Sequence, residues 1–516
     1  MKRASGKGGR AALWVAVGIL LSRISGLIRQ IVFARYFGTT ALADAWTAAL
    51  KVPNVIQNLL GEGSLSASFI PAYAELEHEG RTDDARRLAG AVLGLLLAVA
   101  GALALLGVML APLVVDLVAF GMSGERRDAT VGLVRVLFPM MGFLVLSAWA
   151  LGVLNSHRRF LLSYAAPVLW NLCIVGGLLL GAQVLALEGR ALLMLMGWGA
   201  LAGGVLQFLV QLPLVVRLLG GVRPSLDTEA PGVRDAVRNF VPVVGARGLE
   251  SLSGLLREVT LASLLAEGAL SVLGFVQTLH VLPISLFGLA VAAAELPELA
   301  RERSDEARIA ARVRTGLARV QFWVVPTVVG YVLFGQRVAT LLFLGGRFGA
   351  TDARVTGLTL AAFALGLLAS ASSRMLANAF YGLRDTGTPA RIASVRIVIS
   401  LLVGGLLMVP LDRIAVGDRF LGAAGLGLGS AVAAWIEYGT LRVRLRGRIG
   451  THGPGLAEAA KVWSSALASA ALAYGVDRAL VGVPGRPQAL GTLAVFGVAY
   501  LALTRLLGTT VRPRLR

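Results

Sequence analysis

The stretch LAGAVLGLLLAVAGALALLGVMLAPLVV, residues 88–115, contains no Asp, Glu, Lys or Arg and decides the fold class. An α-helix rises about 1.5 Å per residue, so about 20 residues cross the roughly 30 Å of hydrocarbon in a bilayer. Three more long stretches also lack these charged residues: 160–187, 191–216 and 268–294. They are too long and too continuous for the strands of a membrane barrel. The sequence therefore predicts an all-α protein that crosses a membrane many times.

The composition agrees with a membrane protein and argues against several soluble classes. The 516 residues are 56% hydrophobic and 15% charged, with a mean hydropathy of +0.75, whereas soluble domains carry about 25% charged residues. The net charge of +20 is spread over short loops, which argues against nucleic acid as a partner. The single cysteine, Cys173, excludes an intrachain disulfide.

Motifs of the common enzyme classes are missing from the sequence. There is no Walker phosphate loop, no Gly-x-Ser-x-Gly elbow and no His-Glu-x-x-His zinc motif. Asp83 and Asp84 are adjacent and lack the Asp-x-Asp spacing of a metal-dependent glycosyltransferase. The 4 histidines are scattered without metal-ligand spacing. We therefore predict a protein that is not an enzyme and that uses no metal or cofactor.

We predict about fourteen membrane crossings joined by short loops. With the N-terminus inside, the inner segments carry roughly three times as many Lys and Arg residues as the outer loops. This bias places both termini on the cytoplasmic side. The predicted crossings are 11–37, 41–75, 87–119, 129–155, 161–187, 190–219, 235–266, 268–298, 313–336, 355–381, 389–411, 420–441, 457–480 and 487–508.

Ionisable residues inside the first two crossings are the main functional signal of the sequence. A charge at the centre of a bilayer costs roughly 2.5–3.5 kcal/mol on insertion scales, so it is retained where it faces a cavity or a partner. The planar fork of arginine suits phosphate oxygens, which favours an anionic substrate. The alternative is that the arginines pair with the two acids and lock the helices together. The residues concerned are Arg23, Arg29, Asp44, Lys51 and Glu62.

Proline and glycine residues in the second crossing suggest hinges. Pro53 removes a backbone hydrogen bond beside Lys51, and Gly61 and Gly63 flank Glu62. An ordinary membrane-helix kink at Pro53 is the alternative interpretation. We take Pro53, Gly61 and Gly63 as candidate hinge residues.

The seventh and eighth crossings repeat this pattern of charge followed by proline. Charged residues interrupt the crossing 235–266, and Pro283 follows in the next one. Repeated six-helix halves with two extra helices would suit a transporter. The charged residues are Arg247, Glu250, Arg257 and Glu258.

Several motifs together resemble the MurJ/MviN family. The motifs are SRISGLIR at 22–29, FARYFG at 33–38, ADA at 43–45, KVPN at 51–54, GEG at 61–63, FIP at 69–71 and YGLRDTGTP at 381–389. That family flips lipid II, the undecaprenyl-pyrophosphate precursor of peptidoglycan, across the bacterial inner membrane. The resemblance implies a fold related to exporters of the MATE type, with two six-helix lobes around a cationic cavity. Here the lobes would be residues 1–220 and 221–445, and residues 446–516 would add two helices, which form a hydrophobic groove in the family, and a basic tail.

At positions that match the family, the implied substrate-binding residues are Arg23, Arg29, Asp44, Lys51 and Glu62. Two departures concern arginines that the family usually carries. Gln57 and Asn58 stand where an arginine follows the Pro-Asn pair, and Thr278 replaces the arginine of an Asp-Arg-Leu motif. His280 is the nearest basic residue to the second departure.

The resulting expectation is a flippase that moves a polyprenyl-pyrophosphate-linked saccharide, lipid II above all, by alternating access. The expected partners are this anionic glycolipid, membrane lipids and other proteins of cell-envelope biosynthesis. An exporter of the O-antigen type, or another exporter of the superfamily, is one alternative. A non-transporting scaffold that recruits envelope proteins through its basic inner loops is the other.

Overall fold

The computed structural model describes residues 4–285, 305–483 and 485–509, without the side chains of residues 4–16, 62, 246, 249 and 250. Almost all of this part of the chain is helical. A short antiparallel pairing of Ala415–Val416 with Arg419–Phe420 is the strand structure found in these ranges. The predicted all-α class is therefore confirmed.

The chain divides into two compact units. The first contains the residues up to Leu264 except Ala34–Thr39, and the second contains Ala34–Thr39 and the chain from Leu265 onward. The division between lobes at residues 220 and 445 stays a prediction.

The first unit contains eight helices of 17 to 34 residues and two short ones, α5 and α9, of 8 and 7 residues. Two π-helical segments, Leu180–Val184 and Leu256–Leu261, continue α7 and α10. The helices are α1 Ala4–Phe37, whose last turn belongs to the second unit, α2 Ala41–Leu60, α3 Glu62–His78, α4 Thr82–Met109, α5 Ala111–Val118, α6 Gly124–Ser156, α7 Phe160–Leu179, α8 Gly189–Leu209, α9 Leu212–Leu218 and α10 Val233–Leu255.

Helix α6 forms the centre of the first unit. It packs against α2, α4 and α8, and most of its length is buried. Trp149 on α6 is fully buried, and its indole Nε1 donates a hydrogen bond to the Ala89 carbonyl of α4 at 3.2 Å. A buried indole normally finds such an acceptor, because an unpaired N–H in an apolar interior is costly.

The second unit contains the remaining helices and the short strand pair. Its helices are α11 Ala269–Pro283, α12 Glu306–Phe343, α13 Ala350–Ala364, α14 Leu367–Gly382, α15 Gly387–Leu411, α16 Gly422–Ile449, α17 Leu456–Ala479 and α18 Arg486–Leu506. Asp305 caps the N-terminus of α12, and its side chain accepts a hydrogen bond from the Arg308 backbone N–H at 3.0 Å. This is the usual role of aspartate at an N-cap.

The last two helices, α17 and α18, pack against α12 through an apolar cluster. Phe322, Phe334, Phe496 and Tyr500 belong to this cluster. The Tyr500 hydroxyl donates a hydrogen bond to the Phe322 carbonyl at 2.5 Å. The contact with α12 therefore buries one side of α17 and one side of α18.

The described residues contain 9 helices that are long and apolar enough to cross a membrane. The protein is therefore a multi-span membrane protein. Helix α11 is apolar but shorter, and residues 286–298 of the predicted eighth crossing lie outside the described residues. The count of about fourteen crossings stays a prediction.

A methyl group at Gly429 should destabilise the second unit, because α15 and α16 contact each other backbone to backbone there. A Cβ atom at Gly429 would lie 2.3 Å from the Gly404 nitrogen, and over-packing costs about 1–3 kcal/mol. We expect Gly429→Ala to lower the thermal unfolding midpoint of the purified protein by roughly 2–4 °C per kcal/mol lost. Gly439→Ala on the same helix is the control, because no heavy atom lies within 4 Å of its Cβ position. Equal midpoints for the two variants would contradict this account of the helix contact.

Candidate functional site

The first unit contains a polar pocket of about 420 Å³. It is lined by α2, by α10 and by the π-helical segment that follows α10. The polar side chains of this "polar pocket" are Lys51, Asn54, Asn58, Arg247, Ser251, Arg257 and Glu258.

Helix α2 presents one polar face to the pocket. Lys51, Asn54 and Asn58 are spaced three and four residues apart, so they lie on the same side of an α-helix. Pro53 lies inside this helix and is buried, and the helix continues past it to Leu60. The face is therefore a property of one continuous helix.

Helix α10 and its continuation supply the opposite wall. Arg247 and Ser251 are four residues apart and share one side of α10. The π-helical segment Leu256–Leu261 then changes the side-chain register and brings Arg257 and Glu258 into the same pocket. Such π-helical turns are frequent at functional sites, because they re-aim side chains that a regular helix would direct elsewhere.

Glu258 links the two walls. Its Oε2 atom lies 2.5 Å from the Lys51 Nζ, and its Oε1 atom accepts a hydrogen bond from the Arg257 Nη2 at 2.8 Å. Glu258 is buried, whereas the Lys51 side chain is 38% exposed. Three cations therefore face one carboxylate among the described residues of the pocket.

Arg29 is partly buried in a different place, on α1. Its guanidinium lies over the indole ring of Trp170 on α7, with 4.9 Å between the Arg29 Cζ and the ring centroid. The Nε and Nη1 atoms are shielded from solvent and have no hydrogen-bond partner among the described residues. The hydroxyl of Ser25, one turn earlier on α1, accepts a hydrogen bond from the side-chain amide of Asn171 on α7 at 2.9 Å. Stacking on the indole is thus the contact that places this charge.

Arg23, one helical turn and a half before Arg29, has an exposed side chain. The described part of the chain offers it no hydrogen bond or ion pair. The two arginines therefore differ in environment.

Asp44 is fully buried and lies beside Arg126, which precedes the predicted crossing 129–155 in the sequence. Its Oδ2 atom is 3.5 Å from the Arg126 Nη1. Arg126 also donates to the carbonyl groups of Ser263, at 2.6 Å, and Gly121, at 3.4 Å. Asp44 is therefore part of a buried network that ties α2 to α6 and to the end of the π-helical segment. It is not among the residues that line the polar pocket.

The candidate hinge glycines lie where α2 ends and α3 begins. Gly61 has an extended conformation between the two helices, and a Cβ atom there would lie 2.3 Å from the Gln57 carbonyl oxygen. The Arg247 guanidinium lies against Gly63, since a Cβ atom at that position would be 2.0 Å from its Cζ. The side chain of Glu62 lies outside the described residues. A role for Pro53, Gly61 and Gly63 as hinges stays a prediction.

The sequence is similar to that of a known protein family. The family model described as lipid II flippase MurJ matches residues 33–483. A lipid II flippase MurJ from Burkholderia cenocepacia is 31% identical over 447 residues, which cover 85% of this chain and 84% of that protein. The chain belongs to the lipid II flippase MurJ family.

Two further comparisons agree with membership of the MurJ family. A probable lipid II flippase MurJ from Bdellovibrio bacteriovorus is 31% identical over 458 residues, covering 87% of this chain and 83% of that protein. A solved structure of a lipid II flippase MurJ in an inward closed conformation matches with a TM-score of 0.78 at 19% identity, over 96% of this chain and 98% of that one. An inward-facing multidrug transporter of the MATE family matches with a TM-score of 0.67 at 15% identity, over 85% and 98%. The structural matches support the expected kinship of fold between MurJ and MATE proteins.

The two departures from the MurJ pattern occupy ordinary helical positions. Gln57 is half-buried on α2, one residue before the pocket residue Asn58. The Thr278 hydroxyl donates a hydrogen bond to the Gly274 carbonyl one turn earlier in α11, at 3.0 Å. The ring of His280 packs edge-on against Phe363, with 5.5 Å between centroids.

Of the residues predicted to bind substrate, the structure places Lys51 in the polar pocket and the other described ones elsewhere. Sequence reasoning did not assign Arg247, Arg257 or Glu258 to the site. The signal was present as the charges that interrupt the predicted crossing 235–266. It was not recognised because the partners Lys51 and Glu258 are separated by 207 positions.

Loss of Asp44 alone should destabilise the first unit more than loss of both members of its pair. Removing one partner of a buried ion pair costs about 3–5 kcal/mol, because the other charge is left without compensation. We expect Asp44→Leu to lower the thermal unfolding midpoint, and Asp44→Leu/Arg126→Met to recover part of that loss. The two midpoints are measured on purified protein in one detergent.

The exposed pair Arg234–Glu229, with side chains 83% and 78% exposed, provides the control. Glu229→Gln should change stability by less than about 1 kcal/mol, as is typical of surface pairs. An equal loss in the single and double variants at Asp44 would show that the Arg126 charge does not depend on Asp44.

Proposed function

We propose that this member of the MurJ family flips lipid II across the bacterial cytoplasmic membrane by alternating access, with both termini in the cytoplasm. In this proposal the pyrophosphate of the headgroup binds in the polar pocket. Membership of the family supports the substrate, and the excess of Lys and Arg in the predicted inner loops supports the orientation. The protein acts as a carrier and not as an enzyme.

The charge of the polar pocket is the observation that carries this proposal. Among the described residues of the pocket, Lys51, Arg247 and Arg257 face one carboxylate, Glu258, which leaves an excess of positive charge. A pyrophosphate diester carries negative charge on each of its phosphates. Guanidinium groups bind phosphate oxygens through two parallel hydrogen bonds, whereas lysine contributes a compact point charge. The pocket therefore suits a pyrophosphate in sign and in hydrogen-bond donors.

Uncharged polar residues extend the same pocket. The amides of Asn54 and Asn58 and the hydroxyl of Ser251 line it together with the cations. Amides and hydroxyls both donate and accept hydrogen bonds, as the sugar hydroxyls of a saccharide require. We assign these three side chains to the part of the headgroup next to the pyrophosphate.

An apolar cleft on α10 offers a place for the lipid tail. Phe240 and Val237 line this cleft together with residues of α3 and α4. Phe240 lies seven residues, or about 10 Å, before Arg247 and on the same side of the helix. The headgroup would occupy the polar pocket while the polyprenyl chain stays beside the cleft, in contact with lipid.

Glu258 couples headgroup binding to a change of ion pairs in the pocket. Without headgroup, its carboxylate holds Lys51 and Arg257 in place. A bound pyrophosphate competes with it for both cations, so that substrate binding changes the ion pairs between α2 and the π-helical segment. A ligand shifts a conformational equilibrium only by its difference in affinity for the two states, and this exchange of partners is a source of such a difference.

The residues predicted from sequence fit this proposal in different ways. Lys51 binds headgroup directly. Arg29 and Arg23 supply further positive charge on α1, and Glu62 stays a candidate at the start of α3. Asp44 contributes by holding α2 in position through Arg126. A carrier for cationic drugs would need a net acidic pocket, so the excess of cations argues against that function despite the similarity of fold to MATE transporters.

Neutralising the cations of the polar pocket should abolish flipping without unfolding the protein. In a strain depleted of its own flippase, we expect Arg257→Gln and Arg247→Gln to reduce outer-face accessibility of lipid II by about tenfold or more, since a charge-assisted hydrogen bond contributes roughly 1.5–3 kcal/mol. Arg257→Lys retains the charge but not the fork, and should fall between wild type and Arg257→Gln. The measurement is the fraction of labelled lipid II that an externally added enzyme can reach.

The matched control is Arg234→Gln, because Arg234 is highly exposed and lies outside the pocket. Membrane levels of each variant are measured in parallel. Full export with the Arg247→Gln/Arg257→Gln double variant would reject the pocket as the headgroup site. Failure of the wild-type chain to rescue the depleted strain, together with a surface-polysaccharide defect on its deletion, would favour the O-antigen type of exporter. A deletion phenotype that the double variant fully restores without exporting lipid II would favour a scaffold.

A further inference from the structure

A second charged site lies in the second unit, between α15 and α16. A cavity of about 210 Å³ there is lined by Arg391 and Arg396 of α15 and by Glu437 and Arg444 of α16. Thr388 and Thr440 add hydroxyl groups to the same walls. None of these residues belongs to the polar pocket of the first unit.

The cavity is lined by more arginines than acidic residues. Arg396 Nη1 lies 3.2 Å from Glu437 Oε2, and Glu437 is buried. This pair accounts for the single carboxylate of the cavity. Arg391 and Arg444 have exposed side chains, and neither forms an ion pair or hydrogen bond with the described part of the chain. Two guanidinium groups are thus available to an external anion.

An apolar groove adjoins this cavity and shares part of its wall. The groove measures about 410 Å³, is lined by Gly439 and Val443, and has Ile436, Thr440 and Arg444 in common with the cavity. No heavy atom lies within 4 Å of a Cβ atom placed on Gly439, and Val443 is 72% exposed. A cavity with excess positive charge therefore adjoins a shallow apolar groove.

The position of both features along the helices corresponds to a membrane surface. Residues 387–411 form a candidate membrane span, and both of its arginines lie within its first ten residues. Beyond them, Val395, Val398 and Leu402 are each more than half exposed, as expected of a helix face in contact with lipid. Arg442, Arg446 and Arg448 follow at the end of α16, and such clusters mark the cytoplasmic side.

We infer that this groove binds an anionic phospholipid of the cytoplasmic leaflet. Its phosphate lies between Arg391 and Arg444, and one acyl chain lies along Gly439 and Val443. The charge of the cavity excludes a preference for zwitterionic lipid, because an additional positive group would meet the two arginines. Basic pockets between membrane helices on the cytoplasmic side bind acidic headgroups for the same reason.

The test measures lipid retention by the full chain in detergent. Purified protein is mixed with equal amounts of a phosphatidylglycerol and a phosphatidylcholine that have the same acyl chains, and native mass spectrometry compares the two bound populations. Wild type should retain phosphatidylglycerol in preference. Each of Arg391→Gln and Arg444→Gln should reduce this preference by roughly fivefold, the factor that one basic residue contributes at an acidic membrane surface. Arg446→Gln, an exposed position on the same helix that lines neither the cavity nor the groove, should leave the preference unaltered.

Two additional measurements distinguish binding of a phospholipid from binding of a free phosphate. Gly439→Leu fills the apolar groove without altering charge, and it should reduce phosphatidylglycerol retention while thermal stability is kept. An excess of glycerol phosphate, which has the headgroup chemistry without chains, should displace little lipid. The inference is overturned by equal retention of the two lipids in wild type, by full retention in the Arg391→Gln/Arg444→Gln double variant, or by complete displacement with glycerol phosphate together with normal retention in Gly439→Leu. None of these outcomes depends on lipid II export, so the result stands apart from the proposed flippase activity.

Discussion

The carboxylate of Glu258, held between two cations, is the interaction on which the polar pocket depends. Removing a charge from water is costly, and the cost is offset only when an opposite charge and good hydrogen bonds replace the lost solvent. Lys51 and Arg257 each contact one oxygen of this carboxylate. The pairing connects α2 with the π-helical continuation of α10, and the remaining cation, Arg247, stays exposed. The structure thereby combines two cations that are paired with a carboxylate and a third, Arg247, whose guanidinium lies against Gly63.

The same constraint explains the other ion pairs of the molecule. Asp44 is compensated by Arg126 in the first unit, and Glu437 by Arg396 in the second. On the last helices, the Asp477 carboxylate lies 2.7 Å from the Arg337 Nε and accepts a hydrogen bond from Thr492 at 2.9 Å. Asp44 and Glu437 are buried and Asp477 is half-buried, and each is paired within the protein, whereas several described arginines have no acidic partner. This excess of positive charge suits both an anionic lipid substrate and an anionic membrane surface.

Features that depend on residues close together in the sequence could be predicted, whereas contacts between residues far apart in the sequence could not. The helices followed from uncharged stretches such as residues 88–115, because a membrane leaves a backbone of that length few options other than a helix. The polar character of α2 was also visible, since Lys51 and Asn54 are near neighbours in the chain. Partners far apart in sequence were not. Arg126 is 82 positions from Asp44, and Arg257 and Glu258 could be interpreted only as charges that interrupt a crossing until the fold brought them to α2. Arg29 was predicted as a buried charge, but its contact with the face of Trp170 has no sequence signature.

The unequal number of cations and acids in the polar pocket has an electrical consequence. The described residues that line the pocket contribute three cations and one carboxylate, an excess of about two positive charges, and a pyrophosphate bound there would bring this charge close to neutrality. A voltage of 100 mV acts on each uncompensated charge with about 2.3 kcal/mol. The potential across a bacterial membrane, negative on the inside, would therefore do little to the loaded carrier and would draw the empty one back towards the cytoplasm. The voltage-driven return of the empty carrier would then set the direction of net transport.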